Sequence, residues 1–295
     1  MSIEIVRTRD ALREKVRFWR RASESIGLVP TMGALHEGHL DLIRRSVAQN
    51  EHTIVTVFVN PLQFGPNEDF AAYPRDLERD TRLAESAGAT VVFAPEREEM
   101  YPANDATFVE VEQLTDGLCG ASRPGHFRGV TTIVARLFLL TSPDRAYFGQ
   151  KDAQQARVLR RMTIDLGFDL EVVIVPTVRE PDGLALSSRN RYLTPEDRAR
   201  ALCLSRALFA ARDAHARGEV SAAALLQVAR EKILGVEGVE LDYLELVDDE
   251  TLARIESVER PALLAVAARV GSARLIDNLV LGHSRLIAPE NGFTL

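Results

Sequence analysis

Two histidines three residues apart, His36 and His39, lie in the small-residue turn Pro30-Thr-Met-Gly-Ala-Leu-His-Glu-Gly-His39, between a short apolar run and an amphipathic stretch. A turn leading from a strand into a helix is where an open α/β sheet places a ligand. The free N–H groups and positive dipole end of such a helix favour an anion, for example a nucleotide phosphate. Imidazoles add donors whose charge is tunable near neutral pH, and Gly38 removes a side chain that would block close approach. The spacing does not suit a helical zinc-protease pair, which needs histidines at i and i+4. The plain alternative is a pair of helix-start or surface histidines.

Four further segments carry polar groups at comparable positions. In Phe148-Gly-Gln-Lys-Asp152, Lys151 can stand at a sheet edge and neutralise phosphate charge, with a helix start capped by Asp152 as the structural alternative. In Asp182-Gly-Leu-Ala-Leu-Ser-Ser-Arg-Asn190, two hydroxyls and the Arg189 cation suit a triphosphate tail, with a polar hinge loop as the alternative. Phe58-Val-Asn-Pro-Leu-Gln-Phe-Gly65 offers Asn60 and Gln63 as neutral groups able to orient a small polar substrate, or a simple Pro/Gly turn. Arg123-Pro-Gly-His-Phe-Arg128 is a basic loop. No phosphate loop of the G-x-x-x-x-G-K-[ST] type, no G-x-G-x-x-G after a strand and no G-x-S-x-G elbow occurs, which excludes P-loop NTPases, Rossmann dehydrogenases and serine hydrolases of those patterns.

To converge, these groups must share one edge of one sheet. Periodicity predicts helices over 8–20, from about 38 through Leu40, Ile43 and Val47, and over 74–87, 130–140 and 152–166, with main strands over 26–29, 53–59, 90–93, 145–148 and 170–175. A strand-like piece, 107–111, lies within the irregular stretch 95–129. Alternation of this kind indicates a parallel sheet covered by helices. After Pro176 the texture changes to alanine- and arginine-rich helices over 195–233, broken near Gly218, then strands over 241–247, 263–270 and 274–280. The expected architecture is α/β, a Rossmann-like parallel-sheet domain over 1–183 with a smaller C-terminal α+β lid domain over 184–295.

Bulk properties are those of an ordinary soluble globular protein rather than of a disordered one. The chain has 295 residues, 46% of them hydrophobic, and a net charge of −7, which argues against a broad nucleic-acid surface. Cys119 and Cys203 sit in no metal-like spacing and are expected to be buried, reduced thiols. The N-terminus lacks a secretory pattern and no apolar stretch is long enough to span a bilayer, so cytoplasm without membrane partners is expected.

Together, the segments 30–39, 60–65, 123–129, 149–152 and 187–190 resemble the signatures of the pantothenate synthetase family, in that family's order, within the wider H-x-G-H nucleotidyltransferases. Two positions vary: Gln150, where an acidic residue is frequent, and Leu186, where methionine is frequent. The resemblance implies ATP-dependent condensation of (R)-pantoate with β-alanine to pantothenate, AMP and diphosphate through pantoyl adenylate. It implies that His36, His39, Lys151, Ser187, Ser188 and Arg189 meet the ATP phosphates, with His39 as proton donor toward diphosphate and with His36, His39, Lys151 and Arg189 catalytic. Met32, Gly33, Ala34, Leu35, Glu37, Gly38, Gly149, Gln150, Asp152, Val178 and Leu186 would complete the nucleotide site. Gln63 and Gln155 would hold pantoate, and Gln63 would border β-alanine. Mg²⁺ would bind through ATP phosphates and water without dedicated protein ligands, and the family implies a homodimer. Another nucleotidyltransferase, a truncated aminoacyl-tRNA synthetase or a catalytically silent nucleotide sensor are the competing readings of the residues.

Overall fold

The run Ile26–Val29 is buried at every position, which a strand sustains inside a sheet covered on both faces. The computed structural model, which describes residues 3–66 and 68–287, contains that sheet. The chain begins with β1 (Glu4–Val6), α1 (Arg9–Arg21), β2 (Ile26–Val29), α2 (Glu37–Gln49), β3 (His52–Thr56), α3 (Leu77–Ser86) and β4 (Val91–Phe93). Two short helices, α4 (Arg97–Met100) and α5 (Leu118–Ser122), interrupt an irregular stretch before α6 (His126–Thr141), β5 (Arg145–Gly149), α7 (Ala153–Asp165) and β6 (Glu171–Val175). The smaller unit follows as α8 (Pro195–Ala216), α9 (Ala222–Leu234), β7 (Val239–Asp248), β8 (Ala262–Val270) and β9 (Ala273–Leu281).

The first sheet has six parallel strands in the order β1-β4-β3-β2-β5-β6. From β2 the chain builds outward through β3 and β4, then returns to β5 and β6 on the other side. Connections leaving β2 and β5 therefore diverge and open a crevice at their carboxyl ends, the switch point at which such sheets bind ligands. The alternating sides of β2 meet different helices. Ile26 and Leu28 pack with α1, α6 and α7, while Val29 packs with α2 and α3. A Cβ at Gly27 would lie 2.1 Å from Ser46 Oγ, so glycine is what lets α2 press against the strand.

In the smaller unit, α8 and α9 bury one face of the antiparallel sheet β7-β8-β9. The opposite face, through Val247, Leu263 and Ala265, packs on Leu118 and Ala153 of the first unit. Near its end the chain returns to the first sheet, where Ile287 bridges Ile174 of β6. Among the described residues no helix is long and apolar enough to cross a membrane, and both cysteines are free and buried.

Three expectations are corrected. The parallel sheet has a sixth strand, β1, paired with β4 at the edge. Residues 107–111 form no strand: Val109 N donates to Thr132 Oγ1 (3.0 Å) and Val109 O accepts from Thr131 Oγ1 (2.5 Å), so hydroxyls of α6 take the place of a neighbouring strand. β3 ends at Thr56 because the chain turns into the Asn60–Gln63 corner, which rests on α6.

That corner depends on Gly129. A Cβ there would sit 2.2 Å from Leu62 O and 2.6 Å from Gln63 N, both backbone atoms. Gly129→Ala is therefore expected to destabilise the fold by about 1–3 kcal/mol, the scale of overpacking a dense contact. Urea unfolding measures this, and an unchanged midpoint with unchanged slope would refute it.

Candidate active site

The turn between β2 and α2 has a left-handed backbone at Gly33 (φ +82°) and at Ala34 (φ +52°), the latter a conformation that costs a non-glycine residue energy. It is held by Asp80 of α3, whose carboxylate is fully buried. Asp80 Oδ2 accepts from Ala34 N and Oδ1 from Leu35 N, each at 2.8 Å. Burial raises the Asp80 pKa, and the two backbone donors oppose that rise.

With the turn fixed, His36 becomes the N-cap of α2. Its Nδ1 accepts from Gly38 N (3.2 Å), while His39 Nδ1 accepts from His36 N (3.4 Å), a reciprocal cap. The rings lie 4.1 Å apart. Because both Nδ1 atoms accept, the hydrogen-bond network assigns the proton of each neutral ring to Nε2. Burial and the Lys151 charge lower the His36 pKa to about 4. Burial, His36 and Lys151 hold that of His39 well below its ordinary value. At neutral pH the pair therefore presents two uncharged N–H donors.

Across the switch point, β5 ends in a tight turn over Gln150–Asp152 that leads into α7. Lys151 Nζ lies 3.7 Å from Asp152 Oδ1. The polar loop from the smaller unit completes the rim. Ser187 caps the turn Ser188–Tyr192 by accepting from Arg189 N (3.2 Å). Arg189 forms a two-point pair with Asp69, at 2.9 and 3.2 Å.

The remaining wall orients Gln63. Asn60, buried, donates through Nδ2 to Gly129 O (3.0 Å) and Gln63 Oε1 (3.1 Å), and its Oδ1 accepts from Tyr101 Oη (2.7 Å). Gln63 Nε2 donates to Met32 Sδ (2.9 Å). His126 Nδ1–H donates to Gln63 O (2.8 Å), so its Nε2 accepts from Arg123 (2.9 Å), which is also paired with Glu68. Burial and the Arg123 charge lower the His126 pKa to about 4.

The resulting cavity, about 220 Å³, is lined by Met32, His36, Gly38 and His39 from the first turn, by Gly149, Lys151, Asp152 and Gln155, by Gln63, and by Val178 and Leu186–Arg189. The other sequence-derived candidates do not line it. Gly33, Ala34 and Leu35 form the bend of the turn, Ala34 and Leu35 being buried and their backbone N–H groups spent on Asp80. Glu37 pairs with Arg44, and Gln150 points to the smaller unit. Sequence reasoning did not single out Asp80 or Asp69. The one sequence signal for Asp80 is an aspartate at the core-facing spacing of a helix that buries Ala84 and half-buries Leu77 there. Among the described residues no group of three His, Cys, Asp or Glu side chains is arranged to hold a metal.

The sequence profile for pantoate-beta-alanine ligase matches residues 4–280. The chain belongs to the pantoate-beta-alanine ligase family. It is 56% identical over 279 residues to a pantothenate synthetase of Moorella thermoacetica, covering 95% of this chain and 99% of the relative. The crystal structure of pantothenate synthetase from Thermus thermophilus superposes with a TM-score of 0.90 at 52% identity, covering 94% of this chain and 99% of that one. A Francisella tularensis pantoate-beta-alanine ligase, described as complexed with beta-gamma ATP and beta-alanine, matches with a TM-score of 0.76 at 31% identity over 94% of this chain and 97% of that one. Its fold as a pantoate-beta-alanine ligase, a Rossmann-like sheet with a smaller C-terminal unit, is the one expected from the sequence.

The buried imidazoles give this ligase-family fold a defined response to acid. The His126 ring takes up a proton near 6.5 when free but only near 4 in the folded chain. Between those values the unfolded state binds more protons, so stability falls as pH drops through that window. In His126→Gln the loss of stability between pH 6.5 and 4 is expected to be shallower than in the parent chain, by denaturant unfolding at stepped pH. Parallel profiles would count against this protonation assignment.

Proposed function

We propose that the chain condenses (R)-pantoate with β-alanine in two steps, using ATP and releasing AMP and diphosphate. Family membership and the ligands named for the Francisella tularensis relative support this reading. The observation that carries it is the convergence of His36, His39, Lys151, Ser187, Ser188 and Arg189 on the cavity that Gln63 and Gln155 also line. The first set suits phosphates and the second suits a hydroxylated acid.

A carboxylate is a poor acyl donor, because its oxide is a poor leaving group. Attack of a pantoate carboxylate oxygen on the α-phosphorus forms a C–O–P bond, breaks the bond to the β-phosphate and releases diphosphate. The β-alanine amine then attacks the carbonyl, AMP departs and the new amide nitrogen loses a proton. In the first step the protein acts by positioning and by stabilising charge. Lys151 and Arg189 meet the growing charge on diphosphate, and Arg189 exchanges Asp69 for phosphate oxygens. His36 and His39 donate through Nε2–H. An adjacent triphosphate raises the pKa of an imidazole, which suits His39 to pass a proton to the departing diphosphate. Met32, Gly38, Gly149, Asp152, Val178 and Leu186 border the nucleotide, with Gly33, Ala34, Leu35, Glu37 and Gln150 supporting it from behind. Gln63 also borders β-alanine.

Among the described residues the carboxylate that lines the cavity is Asp152, which is half-exposed, while Asp69 behind Arg189 is engaged by that arginine. This donor set fits a Mg²⁺ carried by ATP phosphates and water, with Asp152 at its margin; when bound, the ion supplies charge neutralisation. The proposal further places the unit boundary at 183/184, with the smaller unit covering the site, and takes the enzyme to be a cytoplasmic homodimer with no nucleic-acid or membrane partner.

Pantoate-dependent exchange of labelled diphosphate into ATP tests the reading, and absence of exchange by the parent chain would overturn it. Lys151→Ala and His39→Ala are each expected to slow adenylation at least ~100-fold, the scale of losing one strong transition-state donor. Gln63→Ala should instead raise the pantoate concentration needed for half-maximal rate. Near-parental single-turnover adenylation, or unchanged pantoate dependence, would remove the role concerned.

A further inference from the structure

We infer that Asn278, on β9 of the smaller unit, is a positioning residue for Lys151. The inference rests on the adenylation reading above. Asn278 is buried, and its Nδ2 donates to the two consecutive carbonyls of the lysine turn, Gln150 O (3.0 Å) and Lys151 O (2.9 Å). Its Oδ1 accepts from Gln150 Nε2 (2.9 Å). Every polar atom of the amide is thus committed to residues 150 and 151, and both Nδ2 hydrogens are used there.

The amide is itself held in place. Asn278 N donates to Asp277 Oδ1 (2.7 Å), and Asp277 is paired two-fold with Arg179 at 2.7 and 2.8 Å. On the far side, Gln150 Oε1 accepts from Arg157 Nη1 (3.0 Å). Arg157 forms a buried ion pair with Asp249, which follows β7, and donates to Ala153 O at 3.0 Å. Asp249 Oδ2 in turn accepts from Ser284 Oγ (2.5 Å). Gln150, Arg157, Asp249 and Asn278 are each no more than 4% exposed, so water does not substitute for these bonds.

The turn that presents Lys151 is three residues long, between the end of β5 and the first turn of α7. Both carbonyls of this turn are held by Asn278, so the turn's position is tied to β9 of the smaller unit as well as to its own chain. Loss of both bonds frees the lysine's own peptide, and a misplacement of about 1 Å can cost on the order of 100-fold in rate. Asn278 reaches the reaction only through this peptide.

A double-mutant cycle in the full-length chain tests this. Asn278→Ala, and the isosteric Asn278→Asp that lacks the N–H donors, are expected to slow pantoate-dependent ATP–diphosphate exchange ~10- to 100-fold, the range for a displaced positioning group. Aminolysis of supplied pantoyl adenylate by β-alanine should change less than about three-fold, because Lys151 acts on the phosphates that leave in the first step. In a Lys151→Ala background either substitution should add little, since the group being positioned is gone. Should Asn278→Ala fail to fold, Asn278→Asp carries the cycle. Unchanged exchange, equal losses in both half-reactions or losses that multiply with Lys151→Ala would each overturn the inference. Lack of exchange in the parent chain would instead overturn the adenylation reading on which it rests.

Discussion

A buried carboxylate reading two backbone N–H groups is the interaction on which the site is built. The Gly33–Leu35 segment bends through two left-handed residues, and that bend leaves N–H groups pointing into the protein. Asp80 satisfies two of them, with Thr31 Oγ1 accepting from Gly33 N. Only then does the chain enter α2 with His36 as its cap, so the imidazole geometry is inherited from a residue on α3. Unsatisfied, those buried donors would each cost about 1–3 kcal/mol. The strain of the turn and the charge of Asp80 are tolerated because each relieves the other.

The electrostatics of the cavity divide its groups by kind. Lys151 and Arg189 bring fixed charge, whereas burial and the Lys151 charge keep His36 and His39 neutral. Arg189 does not wait free; it already holds Asp69. Binding of a polyanion thus replaces one carboxylate with phosphate oxygens, and its affinity is net of the pair it breaks. The lysine, with only a distant contact to Asp152, is the less committed cation.

Much of this was legible in the chain itself. The His36–His39 turn and the Lys151 turn each follow a buried apolar run and open a helix, a local pattern that needs no knowledge of the rest of the fold. Asp80, Asp69 and Asn278 were not legible, because their roles exist only across 45 or more residues of sequence separation. β1 escaped because three residues with one buried position carry no periodicity. The 107–111 segment misled for the opposite reason: its alternation is real, but α6 hydroxyls occupy the backbone groups a strand partner would need. Gln150 reads as a site residue from its neighbours, while its side chain belongs to the contact between the two units.

The bridge between Ile174 and Ile287 changes what kind of motion the smaller unit is permitted. A body attached by a single strand of chain can swivel about any axis through that strand. Here the chain leaves the first sheet after β6 and comes back to the edge of that same strand, so the smaller unit is attached at two places. The second attachment removes that free swivel, because both ends of the smaller unit are fixed to one strand. The packing of Val247, Leu263 and Ala265 on Leu118 and Ala153 adds a third hold between the two units, so the loop of Ser187–Arg189 is carried at a fixed height over the first sheet.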